Sequence, residues 1–158
     1  MTKIKLKIGE KAPGFTLPDA QGNNLSLESL LGSWAILYFY PKDSTPGCTL
    51  EAIGFTGASQ DFKNMNAQVI GISPDSCASH QKFTLNYNLG ITLLSDSDKT
   101  TLQCYGVWRK NIYGSASYGV ARSTFLIDPT GIIKYIWENV DVKNHVAEVL
   151  GTLKELSR

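Results

Sequence analysis

Cysteine is scarce in this chain. Cys48, Cys77 and Cys104 are the only three in 158 residues, and none forms a C-x-x-C pair. An odd count is a poor disulfide framework for a secreted protein; it fits a reducing compartment in which at least one thiol is kept for reactivity. Histidine is scarcer still. With His80 and His145 alone, and no ligand-like spacing around them, neither zinc nor another metal is expected. Charge of one sign is also missing. Fifteen Lys and Arg against fourteen Asp and Glu leave a net charge of +1, which gives no reason to expect nucleic acid or an anionic membrane as partner. The longest apolar run, Trp34 to Tyr40, falls far short of the roughly 20 residues that span a bilayer. The opening MTKIKLKIGEKAPGF has lysines but neither an apolar stretch of signal-peptide length nor a small-residue cleavage site, so a cytoplasmic location is expected. Repeats, low-complexity tracts and linkers are absent, and the length suits one domain, residues 1–158, with a core of its own.

What is present centres on Leu37 to Glu51. The run WAILYFY (Trp34 to Tyr40) has the composition and length of a buried central strand. Pro41 ends it, because proline cannot donate to a ladder. Lys42, Asp43 and Ser44 make a polar turn, and Thr45-Pro46-Gly47-Cys48 opens a helix, with Thr45 as N-cap and Pro46 at the first helical position. Cys48 therefore falls in the first turn of a helix. There the unpaired backbone N–H groups and the positive end of the helix dipole favour a thiolate over a thiol.

The rest of the chain reads as strands alternating with helices. Ile4, Leu6 and Ile8 alternate with lysines as a short edge strand. Phe15–Leu17 and Leu25–Leu27 flank a hairpin turn, and Glu28 to Leu31 is one helical turn stopped by Gly32. The Cys48 helix runs to about Asn64. Its Gly54 and Gly57 either ease local opening, at about 1 kcal/mol each relative to alanine, or permit close packing. Val69–Ile72 is a second buried strand, followed by a capped turn and a helix to about Asn88. A strand at Thr92–Leu94 and a short helix from Lys99 to Tyr105 come next, then a loop or hairpin to Gly119. Ser123–Ile127 and Ile132–Trp137 form a hairpin around Asp128-Pro129-Thr130-Gly131. An amphipathic helix, Val142 to Leu156, closes the chain with Val142, Val146, Val149, Leu150 and Leu153 on one face. This order predicts an α/β fold, a mixed sheet covered on both faces.

Pro41, Thr45 and Cys48 stand as P-x-x-x-T-x-x-C, and the run YFYPKDSTPGCTLEA around them resembles the peroxiredoxins, in particular the Q-type branch also called bacterioferritin comigratory protein. The resemblance extends to IGEKAPGFTLPDAQGNNLSL, VIGISPDS, LLSDSDK, YGVW and ARSTFLIDPTGII, nearly the whole chain. It implies a thioredoxin-like fold with an added N-terminal β-hairpin. It also implies a thiol peroxidase acting on hydrogen peroxide and small organic hydroperoxides without metal, haem or flavin. Thioredoxin is the implied reductant and a monomer the implied state, with a dimer left open. Two competing readings are a peroxide sensor that relays oxidation with little turnover, and a fold-only interaction module.

Attack of a thiolate on an O–O bond needs donors that hold the peroxide in line, and stabilisation of charge developing on the leaving oxygen. Pro41 shields the sulfur without offering a competing donor, and the Thr45 hydroxyl and Cys48 amide can bind peroxide oxygens. Among Arg109, Arg122 and Arg158, Arg122 matches the family's catalytic arginine, reaching the cysteine from a neighbouring strand. Glu51, one turn after Cys48, either holds Arg122 or is a solvated helix charge. The sulfenic acid formed must then meet a second thiol. The family's two resolving positions are Ile53 and Thr84 here, so neither resolver is present. Cys77, two helical turns before Thr84 and about 10 Å from it, is one candidate substitute. A one-cysteine mechanism using an external thiol is the alternative. Cys104 is read as core, with resolution as a lesser role, and both histidines as structural.

Overall fold

The computed structural model describes residues 5–110, 112, 114 and 116–158. At its centre is a five-stranded mixed sheet. The apolar run forms β3 (Trp34–Phe39), which pairs in parallel with β4 (Ala67–Ser73), itself parallel to β5 (Thr92–Ser95). On the other side of β3 lies antiparallel β8 (Ser123–Ile127), hairpinned to β9 (Ile133–Trp137). The order is β5-β4-β3-β8-β9.

Side chains of a strand alternate between faces, and β3 divides the core accordingly. Ala35, Leu37 and Phe39 enter one apolar layer; Ile36, Tyr38 and Tyr40 enter the other. The second layer is closed by α1 (Pro46–Gly57), α2 (Ser59–Asn64), α3 (Cys77–Tyr87) and α5 (His145–Leu156), through Phe55, Phe62, Phe83, Val149 and Leu153. The first is covered by the N-terminal hairpin β1 (Thr16–Pro18) and β2 (Asn24–Ser26), by α4 (Thr100–Cys104) and by the ribbon β6 (Trp108–Lys110) and β7 (Tyr118–Val120). Gly71 of β4 sits directly beside Tyr38. A Cβ there would lie 2.8 Å from the tyrosine ring, so only glycine lets the ring cross the strand. The mixed sheet covered on both faces and the N-terminal hairpin are as expected from the sequence. Among the described residues, no helix is long and apolar enough to cross a membrane.

Four local expectations are corrected. Residues 5–8 form no strand, and Ile4 lies outside the described residues. The Glu10 carboxylate accepts the Lys7 amide at 2.6 Å and Gly9 takes a left-handed φ of 96°, so the segment turns instead of pairing. The Cys48 helix is not continuous to Asn64 but breaks at Ala58, whose amide still reaches the Gly54 carbonyl; the break brings Phe62 against Phe55. The last helix starts at His145, not Val142. Asp141 takes the Lys143 amide in a local turn, and His145 supplies the inward side chain expected of Val142. Cys104 is exposed rather than core. On so short a helix, Thr101, Leu102 and Tyr105 occupy the inward face and Cys104 the outward one.

The two glycines of α1 divide the purposes left open for them. A Cβ at Gly54 would lie 3.0 Å from Val146 of α5, whereas one at Gly57 would meet nothing within 4 Å. Gly54 therefore serves close helix packing. Gly57→Ala is expected to raise stability by up to about 1 kcal/mol, read as a higher urea midpoint, while Gly54→Ala gains less or loses. Equal gains from the two would refute the assignment.

Candidate active site

The site forms where β3 ends and α1 begins. Tyr40 is followed by half-buried Pro41, exposed Lys42, buried Asp43 and Ser44, which adopts a left-handed φ of 65°. Thr45 takes the N-cap position with extended backbone, and Pro46 opens α1, where its missing N–H costs nothing. The Thr45 hydroxyl does not cap the helix, however. It donates back to the Lys42 carbonyl at 2.8 Å, which fixes its rotamer within the loop. Cys48 is the third helical residue and is 1% exposed.

Arg122 immediately precedes β8. Ser123 pairs with Phe39, so the arginine stands beside the end of β3, and its carbonyl is held by the Val140 amide at 2.9 Å. Its guanidinium spans two partners. Nη2 donates to Cys48 Sγ at 3.3 Å and Nη1 to Glu51 Oε1 at 2.7 Å. Glu51 is fully buried, not a solvated helix charge. Burial pushes its pKa up to about 7, against the pull of Arg122. Burial works against the charge on Arg122 as well, but Glu51 and Cys48 outweigh it and hold its pKa above the ordinary value. Gly47 makes room for this arrangement, since a Cβ there would lie 3.2 Å from Arg122 Nη2. The sequence signal for Gly47 was its place between Pro46 and Cys48, a spacing that reads as helix start and nothing more.

The three thiols are all free and stand in different settings. Cys77 is half-buried at the first position of α3. It follows β4 as Cys48 follows β3, so both thiols lie at the carboxyl edge of adjacent parallel strands, at the starts of helices in the same layer. Ser76 caps α3 by accepting the Ser79 amide at 3.1 Å. Cys104 projects from α4, whose apolar side chains pack into the opposite layer. Ile53, at one of the positions where the family carries a resolver, is exposed on α1, and Thr84 is half-buried on α3.

Both histidines are buried. His145 meets the Thr124 hydroxyl at 2.8 Å and packs edge-on to Phe55 and Trp137; burial lowers its pKa. His80, read from the sequence as structural, lies with Asp43 and Asp75 in one cluster of ligand-type atoms. Asp43 Oδ2, Asp75 Oδ2 and both His80 ring nitrogens are already engaged by protein groups, which accounts for the cluster as a hydrogen-bond network.

Residues 8–136 match the AhpC/TSA family. Among curated relatives, a putative peroxiredoxin bcp of Coxiella burnetii is 50% identical over 151 residues, covering 95% of this chain and 100% of that one. The chain belongs to this family and is a Q-type, or Bcp, peroxiredoxin. Peroxiredoxin Bcp of Bacillus subtilis is 43% identical over 155 residues, covering 98% and 99% of the two chains. Solved structures agree. Xanthomonas campestris Peroxiredoxin Q superposes with a TM-score of 0.89 at 35% identity, over 98% of this chain and 99% of that one. Xylella fastidiosa PrxQ gives 0.94 at 33% identity, over 99% and 100%. The fold of this peroxiredoxin is therefore the thioredoxin-like one, and it is a thiol peroxidase by family.

The raised pKa of Glu51 gives a pH signature with a definite sign. Its folded value of about 7 lies above the ordinary 4.5, so the folded state holds the proton more tightly. Its contribution to stability is fully present below about pH 4.5 and is lost as pH rises through about 7. Glu51→Gln is expected to flatten this decline in urea denaturation between pH 4.5 and 8. An unchanged slope in the variant would show that the decline arises elsewhere.

Proposed function

We propose that this peroxiredoxin reduces hydrogen peroxide and small organic hydroperoxides with Cys48 as the nucleophile. The observation that carries the reading is the Arg122 guanidinium donating to Cys48 Sγ while anchored on Glu51. The thiolate attacks one peroxide oxygen, an S–O bond forms and the O–O bond breaks. The other oxygen departs as hydroxide or alkoxide and takes up a proton to give water or an alcohol. Arg122 stabilises the charge on that oxygen, the Thr45 hydroxyl holds the peroxide in line, and Pro41 screens the sulfur from water. A related protein, the bacterioferritin comigratory protein of Xanthomonas campestris, has been solved in work on its alkyl peroxide reduction activity, which supports including organic hydroperoxides.

Cys48 sulfenic acid then condenses with the Cys77 thiol, forming a disulfide and releasing water. The common sheet edge of the two helix starts supports Cys77 over Cys104. Thioredoxin or a similar dithiol reduces the disulfide. The chain works as one domain in the cytoplasm, as a monomer, with no metal, haem or flavin in the cycle.

Two experiments test this. Peptide mass spectrometry after one equivalent of hydrogen peroxide is expected to find a Cys48–Cys77 linkage, absent from Cys77→Ser. Finding only Cys48 sulfinic acid or external adducts would replace resolution by Cys77 with a one-cysteine mechanism. In an assay coupled to thioredoxin, thioredoxin reductase and NADPH, sustained NADPH loss is expected, reduced at least a thousandfold in Cys48→Ser. A single stoichiometric burst would mark a sensor instead of an enzyme.

A further inference from the structure

The loop that presents Pro41 and Thr45 is held in a costly conformation. Ser44, between Asp43 and Thr45, has a φ of 65°, a left-handed geometry that is strained for a non-glycine residue. Such strain persists only where the surroundings over-determine it. Here they do so through Asp43. Its buried carboxylate accepts the Tyr40 hydroxyl at 2.6 Å, the Ser79 hydroxyl at 2.8 Å and His80 Nδ1 at 2.7 Å. Its amide donates to Asp75 Oδ2 at 2.8 Å, and that oxygen also accepts the Ser73 hydroxyl. Ser79 and His80 belong to the first turns of α3, Asp75 to the turn before it and Ser73 to the end of β4.

Both ring nitrogens of His80 are engaged. Nε2 faces the Leu94 carbonyl at 2.9 Å, which can only accept, so Nε2 carries hydrogen. Nδ1 lies 2.7 Å from Asp43 Oδ2, with the Tyr40 hydroxyl 3.4 Å away, so the ring is held to the carboxyl by a short hydrogen bond. The contact is a short buried hydrogen bond that ties the loop to α3. Although burial alone would raise the Asp43 pKa, the bonds from His80, Tyr40 and Ser79 hold it below the usual carboxylate value.

We propose that Asp43 and His80 are positioning residues for the peroxide step: the pair locks the strained loop that carries Pro41 and Thr45 onto the start of α3. Neither side chain is bonded to Cys48 or Arg122, so loss of the pair leaves the nucleophile and its arginine in place while the loop relaxes at Ser44 and Thr45 drifts from the attack line. Misplacement on the ångström scale costs up to about a hundredfold in rate.

The test uses the reduced full-length protein and follows the Cys48 peptide by mass spectrometry in two reactions: oxidation by hydrogen peroxide, which needs the loop, and alkylation by iodoacetamide, which needs only the nucleophile. His80→Gln is expected to slow oxidation about tenfold or more while alkylation stays within about twofold. Asp43→Asn should behave alike, and the double variant should be no slower than the slower single, because the two act as one unit. Parallel loss in both reactions, loss in neither, or additive losses in the double variant would overturn the proposal. If His80→Gln does not fold, the near-isosteric Asp43→Asn decides alone, and an unchanged oxidation-to-alkylation ratio sinks the idea. The inference rests on Cys48 as peroxide nucleophile, and the two failures are distinguishable. A wild type whose Cys48 resists peroxide refutes that reading, whereas a reactive wild type with unaltered ratios in the variants refutes only the positioning role.

Discussion

One guanidinium joins two segments, the start of β8 and the first turns of α1, that the sheet brings to a common edge. Arg122 leaves β8, crosses the end of β3 and divides its donors between the sulfur of Cys48 and the carboxylate of Glu51 on α1. A cation this enclosed is costly unless its charge is answered on the protein side. Glu51 gives that answer with one oxygen; its other oxygen and the Tyr38 hydroxyl are buried without a hydrogen-bond partner. The arrangement is electrostatically unfinished. A half-buried cation faces a carboxylate that burial pushes toward its protonated form, so negative charge on the sulfur or on a departing oxygen completes the balance. Such an arrangement suits charge that develops during a reaction, and the glycine at 47 leaves it room: a Cβ there would lie 3.2 Å from the guanidinium.

Much of this was legible in the chain because the relevant signals are local. The β3 run, the proline that ends it and the helix start at Pro46 lie within fifteen residues, and each acts through its neighbours. The pairing of Arg122 with Cys48 is not local, and only the resemblance to a known family singled out that arginine among the three. What escaped the sequence reading depends on packing between distant segments. Asp43 reads as a turn residue and His80 as a helix residue; nothing in their spacing reveals that β3 and β4 are neighbours and so bring them within 2.7 Å. Cys104 was misjudged because the inward face of a helix of five residues is set by its neighbours in space, not by a period too short to see. The edge strand at 5–8 failed because a single carboxylate, Glu10, took an amide that the alternation of lysines and aliphatics had assigned to a ladder.

The departure from the family pattern at Ile53 and Thr84 bears on how the chain must move. Cys48 is sealed at the start of α1, and a disulfide requires Cα atoms within about 7 Å. A resolver on α1 itself could be reached by unwinding that helix alone. A resolver at the first position of α3 carries a different constraint, because the turn that holds Cys77 is the one to which Asp43 is bonded. The contacts that hold the Pro41–Thr45 loop are thus contacts to the residues flanking Cys77. Were Cys77 the resolver, freeing it would loosen the loop after the sulfur had been oxidised. A resolver at Cys77 would therefore couple the two ends of the cycle through one hydrogen-bond network, whereas a resolver on α1 would not.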